Sequence, residues 1–532
     1  MTMAHQQTGR HRDGLLGVQL PDYARELLER STLIIVSNRG PVEFHQTNDG
    51  EIATKRGTGG VITAMSAAAR FADAIWVACA MTPTDRVIAE EMRQRREALL
   101  TIPDLPGFRL RFVVPDTEAY HGYYNRIANP LLWFLQHYLW DTPRAPDIDH
   151  ETWQAWHEGY VAVNRLFAEE VVAAAAEAPR DPIVLLQDYH LYLAPTFIRE
   201  LRPDLLLHHF VHIPWPDQDY WRLLPLPMRR AICEGLLAND IVGFQTPRHA
   251  RSFLNTVDAN LPEAEVDYRR REVTFRGRTT RVRVYPISID PELVRAVAES
   301  EDARRHREHL EAFRNEYTII RVDRAEPSKN VVRGFLAYDR LLEKHPELIG
   351  RVNFLAFLVP SRMEVAEYIN YLDEINAVVG RINAKYANAA EIEGIHWQPV
   401  HLFVGDDYPR ALAAMTFYDV LLVNAIFDGM NLVAKEGALV NERNGVLVLS
   451  EGAGAYQQLG QWALTVSPTD IEGTAEALWQ GLTMPAAERA WRAEQLRHHV
   501  LEHDLRRWLV DQLHDIAELR AERAPHRLTA PS

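Results

Sequence analysis

Short apolar runs separated by helical stretches constrain the fold of this 532-residue chain more than any other feature. They are LIIVS (33–37), IWVAC (75–79), IVLLQ (183–187), LLHHFV (206–211), DIVGF (240–244), TIIRV (318–322), NFLAFL (353–358), DVLLV (419–423) and VLVL (446–449). Each is too short for a helix and rich in Val, Ile and Leu. Runs that are apolar throughout, rather than alternating, suit strands buried on both faces, and apolar residues between most of them recur every three or four positions. The pattern predicts an α/β protein whose parallel sheets carry helices on both sides. There are too many such units for one sheet of usual size. The break falls near YPISIDPELV (285–294), where a basic, β-rich stretch gives way to a charged helix. The reading is two Rossmann-like doubly wound domains facing across a cleft, 31–288 and 289–486. A polar tail with a short helix precedes them (1–30), and a helical segment with a tail follows (487–532).

Composition narrows the partners. The chain is 47% apolar and 25% charged, as in ordinary globular proteins. Its net charge of -15, from 58 basic and 73 acidic residues, argues against nucleic acid or an anionic membrane as partner. Cys79 and Cys233 sit in apolar contexts and form no disulfide or metal-ligand spacing, which fits a reducing compartment. The amino-terminal stretch MTMAHQQTGRHRDG lacks the apolar core of a signal peptide, and no apolar run approaches the about 18 residues that span a bilayer. The expectation is a cytoplasmic protein. A homo-oligomer is neither specified nor excluded.

In open α/β sheets ligands bind beyond the carboxyl ends of the strands, so the informative polar residues are those that follow the apolar runs. Asn38 and Arg39 follow the first, Asp188, Tyr189 and His190 follow IVLLQ, and His212 follows LLHHFV. In the second half, Asp323, Arg324, Ser328 and Lys329 follow TIIRV, and Asp428, Gly429 and Asn431 follow DVLLV. Any one of these residues suits a cap or a loop. Five groups at the same topological position point to polar side chains converging on a ligand. Arg324 and Lys329 bring two cations within six residues, which suits a diphosphate. Gly57, Gly59 and Gly60 precede a helical stretch and match neither the P-loop nor the dinucleotide pattern. The Asp-x-Asp pairs Asp147/Asp149 and Asp217/Asp219 arise easily in an acidic chain, and no metal is expected. Tyr124 and Trp133, in an aromatic-rich stretch, carry a hydroxyl and an indole N–H that suit a sugar phosphate.

The stretch FDGMNLVAKE (427–436) reads as a capped helix. On a helical wheel Leu432, Val433, Leu439 and Val440 form an apolar stripe with Glu436 in its middle. A carboxylate there is costly unless paired, and a ribose with two vicinal hydroxyls is a fitting partner. Asp428 is the expected N-cap, with the N–H groups of 430–432 open to a diphosphate.

SNRGP, TGG, YYNRIANPLLW, QDYHL, HIPWP, VDRAEPSKN, DGMNLVAKE and VLSEGAGA, in this order, resemble the motifs of the trehalose-6-phosphate synthase family. These are retaining glycosyltransferases of GT-B architecture, glycosyltransferase family 20, and the RAEPSKN loop resembles an actinobacterial-type variant. The resemblance covers about residues 32–480. It implies transfer of glucose from a nucleoside-diphosphate-glucose to the anomeric hydroxyl of glucose 6-phosphate, giving α,α-trehalose 6-phosphate with retention. It also implies no cofactor and no metal, with these two small molecules as the partners. The first domain would then be the acceptor domain and the second the nucleotide-sugar domain. Matched to the family motifs, Arg39, Tyr124, Trp133 and Arg362 hold the acceptor phosphate, and Asp188 binds acceptor hydroxyls. Gly60, His212, Asp428, Met430, Asn431 and Leu432 surround the donor, and Glu436 binds ribose. Arg324 and Lys329 stabilise the leaving diphosphate, and Asp188, His212 and Asp428 complete the catalytic set. No protein nucleophile is implied: the leaving phosphate takes the acceptor proton on the face of attack.

The common family form of the cation loop is RLDYSKG. Here Ala325, Glu326, Pro327 and Asn330 depart from it, which leaves UDP, GDP and ADP donors open. HIPWPDQDYWRLLP and LVNER also resemble relatives that make validoxylamine phosphate. Another phosphorylated acceptor, such as glycerol 3-phosphate or an aminocyclitol phosphate, and an inactive sugar-phosphate-sensing regulator are the competing readings.

Overall fold

The computed structural model of the protein describes residues 20–47, 49–56, 65, 73–102, 107–391 and 397–523. The chain divides into two units. The first comprises Met1–Leu135, Trp140–Pro286 and Leu505–Ser532, and the second Gln136–Leu139 and Ile287–Asp504.

Seven parallel strands form the centre of the first unit, in the order Arg278–Val284, Ile241–Phe244, Leu206–Val211, Asp181–Gln187, Ser31–Ser37, Asp73–Cys79 and Phe108–Val113. Antiparallel strands extend both edges: Glu265–Asp267 and Glu272–Phe275 at one, Leu100–Thr101 at the other. From Ser31–Ser37 the chain builds first toward one edge and then, from Asp181–Gln187, toward the other. The topological switch point therefore lies between these two strands.

The second unit has six parallel strands in the order Val400–Val404, Val352–Val359, Tyr317–Arg324, Val420–Val423, Val446–Ser450 and Leu464–Val466. Numbered along this unit the order is 3-2-1-4-5-6, the doubly wound arrangement of dinucleotide-binding sheets. Its switch point lies between Tyr317–Arg324 and Val420–Val423.

Each of the nine apolar runs supplies a strand of one of these sheets, with only Asp240 and Asp419 falling just before theirs. Burial explains why: Leu33 to Val36, Ile183 to Leu186 and Val420 to Leu422 are at most 4% exposed. Four further parallel strands, Phe108–Val113, Arg278–Val284, Val400–Val404 and Leu464–Val466, have half-buried or exposed residues among the buried ones, so none reads as a continuous apolar run.

The described part of the C-terminal segment, 487–523, does not stand apart. The helix Ala486–Glu502 belongs to the second unit, and Leu505–Arg523 belongs to the first. Trp508, 2% exposed, meets Phe210 edge to face at 5.3 Å. Arg281 pairs with Glu518 and Glu522, and the Tyr285 hydroxyl donates to Asp515. No helix among the described residues is long and apolar enough to cross a membrane.

Candidate functional site

At the switch point of the second unit, Lys329 Nζ donates to Asp428 Oδ2, and both side chains are largely buried. Asn431 Nδ2 donates to the same oxygen at 3.1 Å. Burial pushes the Asp428 carboxyl up, but the charge and hydrogen bond of Lys329 outweigh it and hold the carboxyl below its usual range. Arg321, inside the run TIIRV, fixes the backbone that carries Lys329. Its guanidinium has no exposed surface, pairs with Asp323 at 2.7 Å and donates to the carbonyls of Lys329 (3.0 Å) and Val331 (3.2 Å). A charge within an apolar strand was the signal for this residue, since it needs a buried partner. Asn330 ties the two strand ends together by donating to the carbonyls of Asn424 (2.9 Å) and Pro468 (2.6 Å). Its φ of 57° lies in the left-handed region, which explains why the common family form has glycine here and why asparagine serves.

Asp428 is not an N-cap. The helix after it is Val433–Val440, and its first flanking residue is Leu432, with no side-chain cap. Asn431 takes a φ of 76°, so the chain is still turning at 431, and the N–H groups of 430–432 belong to a loop rather than a helix end. A second loop braces this one. Asp428 N donates to Gly452 O (3.1 Å), Gly454 N to Asp428 O (3.0 Å) and Ala455 N to Met430 O (2.7 Å). The approach is too close for side chains, since a Cβ on Gly454 would stand 1.8 Å from Gly429 O. That contact is the structural role of SEGAGA. It leaves Met430 and Asn431 4% and 7% exposed, with Leu432 half-buried.

Beside Lys329 a carboxylate organises two arginines. Glu326 is fully buried, and its Oε1 accepts from Ser361 Oγ at 2.8 Å and Arg362 Nη1 at 3.2 Å, with Arg324 Nη1 also at 3.2 Å. Burial raises the Glu326 carboxyl, but the charges of Arg324, Arg362 and Lys329 dominate and bring it down to about 2. Arg362 also donates to the Tyr368 hydroxyl at 2.7 Å.

The helix Val433–Val440 buries Leu439 and Val440 and half-buries Val433 and Glu436, and Leu432 just before it is also half-buried. Glu436 Oε1 accepts from the Tyr408 hydroxyl at 2.9 Å. Burial raises its carboxyl to about 7, and that hydrogen bond offsets only part of the rise. The fully buried charge on this helix is instead Lys435, 1% exposed, whose Nζ donates to Ile287 O at 2.7 Å. Burial lowers it to about 7.

In the first unit, Asp188 follows the strand at the switch point with a φ of 69°, a strained value for a residue with a side chain. Its Oδ1 accepts from His212 N at 3.1 Å, so Asp188 and His212 form one cluster. His212 Nε2 lies 2.9 Å from Gln187 Oε1, and burial lowers the imidazole to about 3, so it is neutral near pH 7. Tyr124 is stacked between Tyr120 (5.5 Å) and His190 (5.7 Å), and Trp133 packs on Tyr189 at 5.6 Å. Tyr120 ends the short helix Thr117–Tyr120 and Tyr124 lies four residues on, in the π-helical stretch His121–Leu132 that continues it, so both rings fall on one face. Asn38 Nδ2 donates to the Tyr120 hydroxyl at 3.4 Å, linking the end of Ser31–Ser37 to this stack. Arg39 beside it is half exposed and 3.8 Å from Glu43. Gly57, Gly59 and Gly60 lie outside the described residues.

The structure thus brings Arg324, Lys329, Arg362, Asp428, Met430 and Asn431 to one switch point and sets Glu436 on the following helix. It gathers Asp188 and His212 at the other, near the aromatic stack. Gln187, Tyr120, Tyr408 and Glu326 were not singled out as site residues. Only Glu326 had a signal, a carboxylate between two cationic positions. Asp149 and Asp217 have local roles: Asp149 caps the helix His150–Gln154, and Asp217 accepts from Ser252 Oγ.

The model of Glycosyltransferase family 20 matches residues 31–518. A trehalose-6-phosphate synthase of Mycobacterium sp. (strain KMS) is 34% identical over 516 residues, covering 93% of this chain and 97% of that protein. A probable α,α-trehalose-phosphate synthase (UDP-forming) of Arabidopsis thaliana is 30% identical over 498 residues and 93% of this chain. The chain spans 58% of that relative's length. Among solved structures, an α,α-trehalose-phosphate synthase (UDP-forming) of Burkholderia xenovorans in complex with glucose-6-phosphate superposes with a TM-score of 0.76. It is 26% identical, with 91% of this chain and 99% of that one covered.

Proposed function

The chain belongs to glycosyltransferase family 20, and we propose that it transfers glucose from a nucleoside-diphosphate-glucose to glucose 6-phosphate, making α,α-trehalose 6-phosphate with retention. The observation that carries this reading is the Lys329–Asp428 pair at the switch point of the second unit, with the cation of Arg324 five residues before Lys329. Lys329 and Arg324 hold the donor diphosphate. Asp428, kept ionised by Lys329, accepts hydrogen bonds from hydroxyls of the donor glucose, and Met430, Asn431 and Leu432 line that sugar. Glu436 binds the ribose, with the Tyr408 hydroxyl already oriented on it. Asp188 binds acceptor hydroxyls, and the acceptor phosphate is assigned to Arg39, Tyr124, Trp133 and Arg362. His212 stays neutral and serves as a hydrogen-bonding partner to the donor sugar rather than as a proton donor.

The bond from the anomeric carbon to the phosphate oxygen breaks as the anomeric hydroxyl of the acceptor forms the new bond on the same face. The hydroxyl proton passes to the departing phosphate oxygen, whose charge Arg324 and Lys329 balance. Catalysis is then positioning and electrostatic stabilisation of the leaving group, with no protein nucleophile and no metal. Protein treated with EDTA is expected to keep its full rate, and loss of turnover that Mg²⁺ restores would contradict the metal-free step. The setting proposed is the cytoplasm. The deciding experiment is a donor-by-acceptor matrix of UDP-, GDP- and ADP-glucose against glucose 6-phosphate, glycerol 3-phosphate and an aminocyclitol phosphate. Trehalose 6-phosphate with at least one donor is expected; no product with glucose 6-phosphate under any donor rejects the reading.

A further inference from the structure

We propose that Glu326 is a positioning residue that couples two anion-reading arginines: one buried carboxylate oxygen sets where the guanidinia of both Arg324 and Arg362 stand. The inference rests on the function proposed above, in which Arg324 faces the donor diphosphate and Arg362 the acceptor phosphate.

The strands Tyr317–Arg324 and Val352–Val359 are parallel neighbours, with Arg324 in register with Val359. Glu326 lies two residues past the first strand, and Ser361 and Arg362 lie just past the second. The carboxylate therefore bridges two strand ends. Ser361 and Arg362 donate to Oε1 and Arg324 Nη1 pairs with it at 3.2 Å, while Oε2 is buried without a hydrogen-bond partner among the described residues. Two cations share one anion, so the group keeps a net positive charge suited to phosphates. A guanidinium is a rigid planar fork, and directing one N–H at Glu326 fixes the directions of the rest. Arg362 is held further by the Tyr368 hydroxyl, with its Cζ 5.2 Å from that ring's centroid. A buried ion pair is a weak source of net stability, so orientation accounts better for this one.

A shared counter-charge has a distinctive consequence. With Arg362 removed, more of the charge of Glu326 falls on Arg324, which then attracts a diphosphate less strongly. Arg362→Ala is therefore expected to weaken UDP binding by about fivefold, although Arg362 is assigned to the other substrate. In a Glu326→Gln background the same substitution is expected to change UDP affinity less than about twofold. Titration calorimetry of UDP against the wild type, both single variants and the double variant reads this, with thermal unfolding as the check on folding. If Glu326→Gln does not fold, Glu326→Asp replaces it, and its shorter side chain is expected to lose at least about half of the coupling. Unchanged UDP affinity in Arg362→Ala, or an equal loss in both backgrounds, overturns the role of Glu326. If trehalose 6-phosphate forms but the cycle shows no coupling, only this inference fails. A wild type that binds neither UDP nor glucose 6-phosphate overturns the functional reading and the coupling with it.

Discussion

Lys329 and Arg324 lie in one loop but differ in surroundings, and their substitutions should differ accordingly. Arg324 keeps 45% of its side chain exposed, whereas Lys329 is paired with the largely buried Asp428. Either change to alanine is expected to lower turnover at least about 100-fold, the scale of a lost transition-state charge contact. Only Lys329→Ala is expected to destabilise the fold as well, by about 3 kcal/mol, because it leaves a buried carboxylate unpaired. Kinetics and denaturant unfolding of both variants check this; near-normal rates in both would remove the leaving-group role. Lys435 gives a pH signature. Its ammonium is lowered from 10.5 to about 7 by burial, so folding disfavours the proton that the unfolded chain holds. The stability this represents is present above about pH 10.5 and is lost as pH falls toward about 7. Wild-type stability should climb between pH 7 and 10, and Lys435→Met should flatten the climb. An identical climb in the variant would exclude Lys435 as its source.

At the level of elements, the strands were legible and the loops were not. The nine runs became strands because both faces of each are covered, so the sequence shows the burial directly. Phe108–Val113 was missed because Arg109 and Arg111 break its apolar run. Arg324, Lys329 and Asp428 could be found because they follow apolar runs. The cap assigned to Asp428 could not be judged, because the left-handed turn at Asn431 that delays the helix has no firm sequence signal. Glu326 looked like a departure in a loop, and only the neighbouring strand end shows what it holds. Two glycines test the loop argument. Gly454→Ala forces a Cβ into Gly429 O and should shift the loop carrying Asp428, cutting turnover at least about tenfold and lowering the melting temperature. Gly380 is an exposed helical residue with nothing within 4 Å of an added Cβ. Gly380→Ala should stabilise by about 0.5–1 kcal/mol with no change in rate. A rate change at Gly380, or none at Gly454, would contradict this account.

Over the whole molecule, acid should act first on the first unit. Burial holds His208, His209 and His212 neutral, with values lowered from 6.5 to about 3, 4 and 3. Unfolded, they take up protons below about pH 6.5, so the stability they represent is present above that pH and is lost as pH falls toward 4. Three such groups give a combined slope of order 4 kcal/mol per pH unit once the unfolded chain is protonated. Hydrogen exchange in Leu206–Val211 at pH 7, 5.5 and 4.5 should accelerate before exchange in Val420–Val423. Uniform loss in both strands would count against the histidines. The placement of Leu505–Arg523 bears on how the molecule is made. This helix supplies Trp508 to the face behind Phe210, yet it is translated after all of Ile287–Asp504. During synthesis the Phe210 face of the first unit stays uncovered until Leu505–Arg523 has left the ribosome. The second unit, though begun later, is the first whose residues are all available to fold.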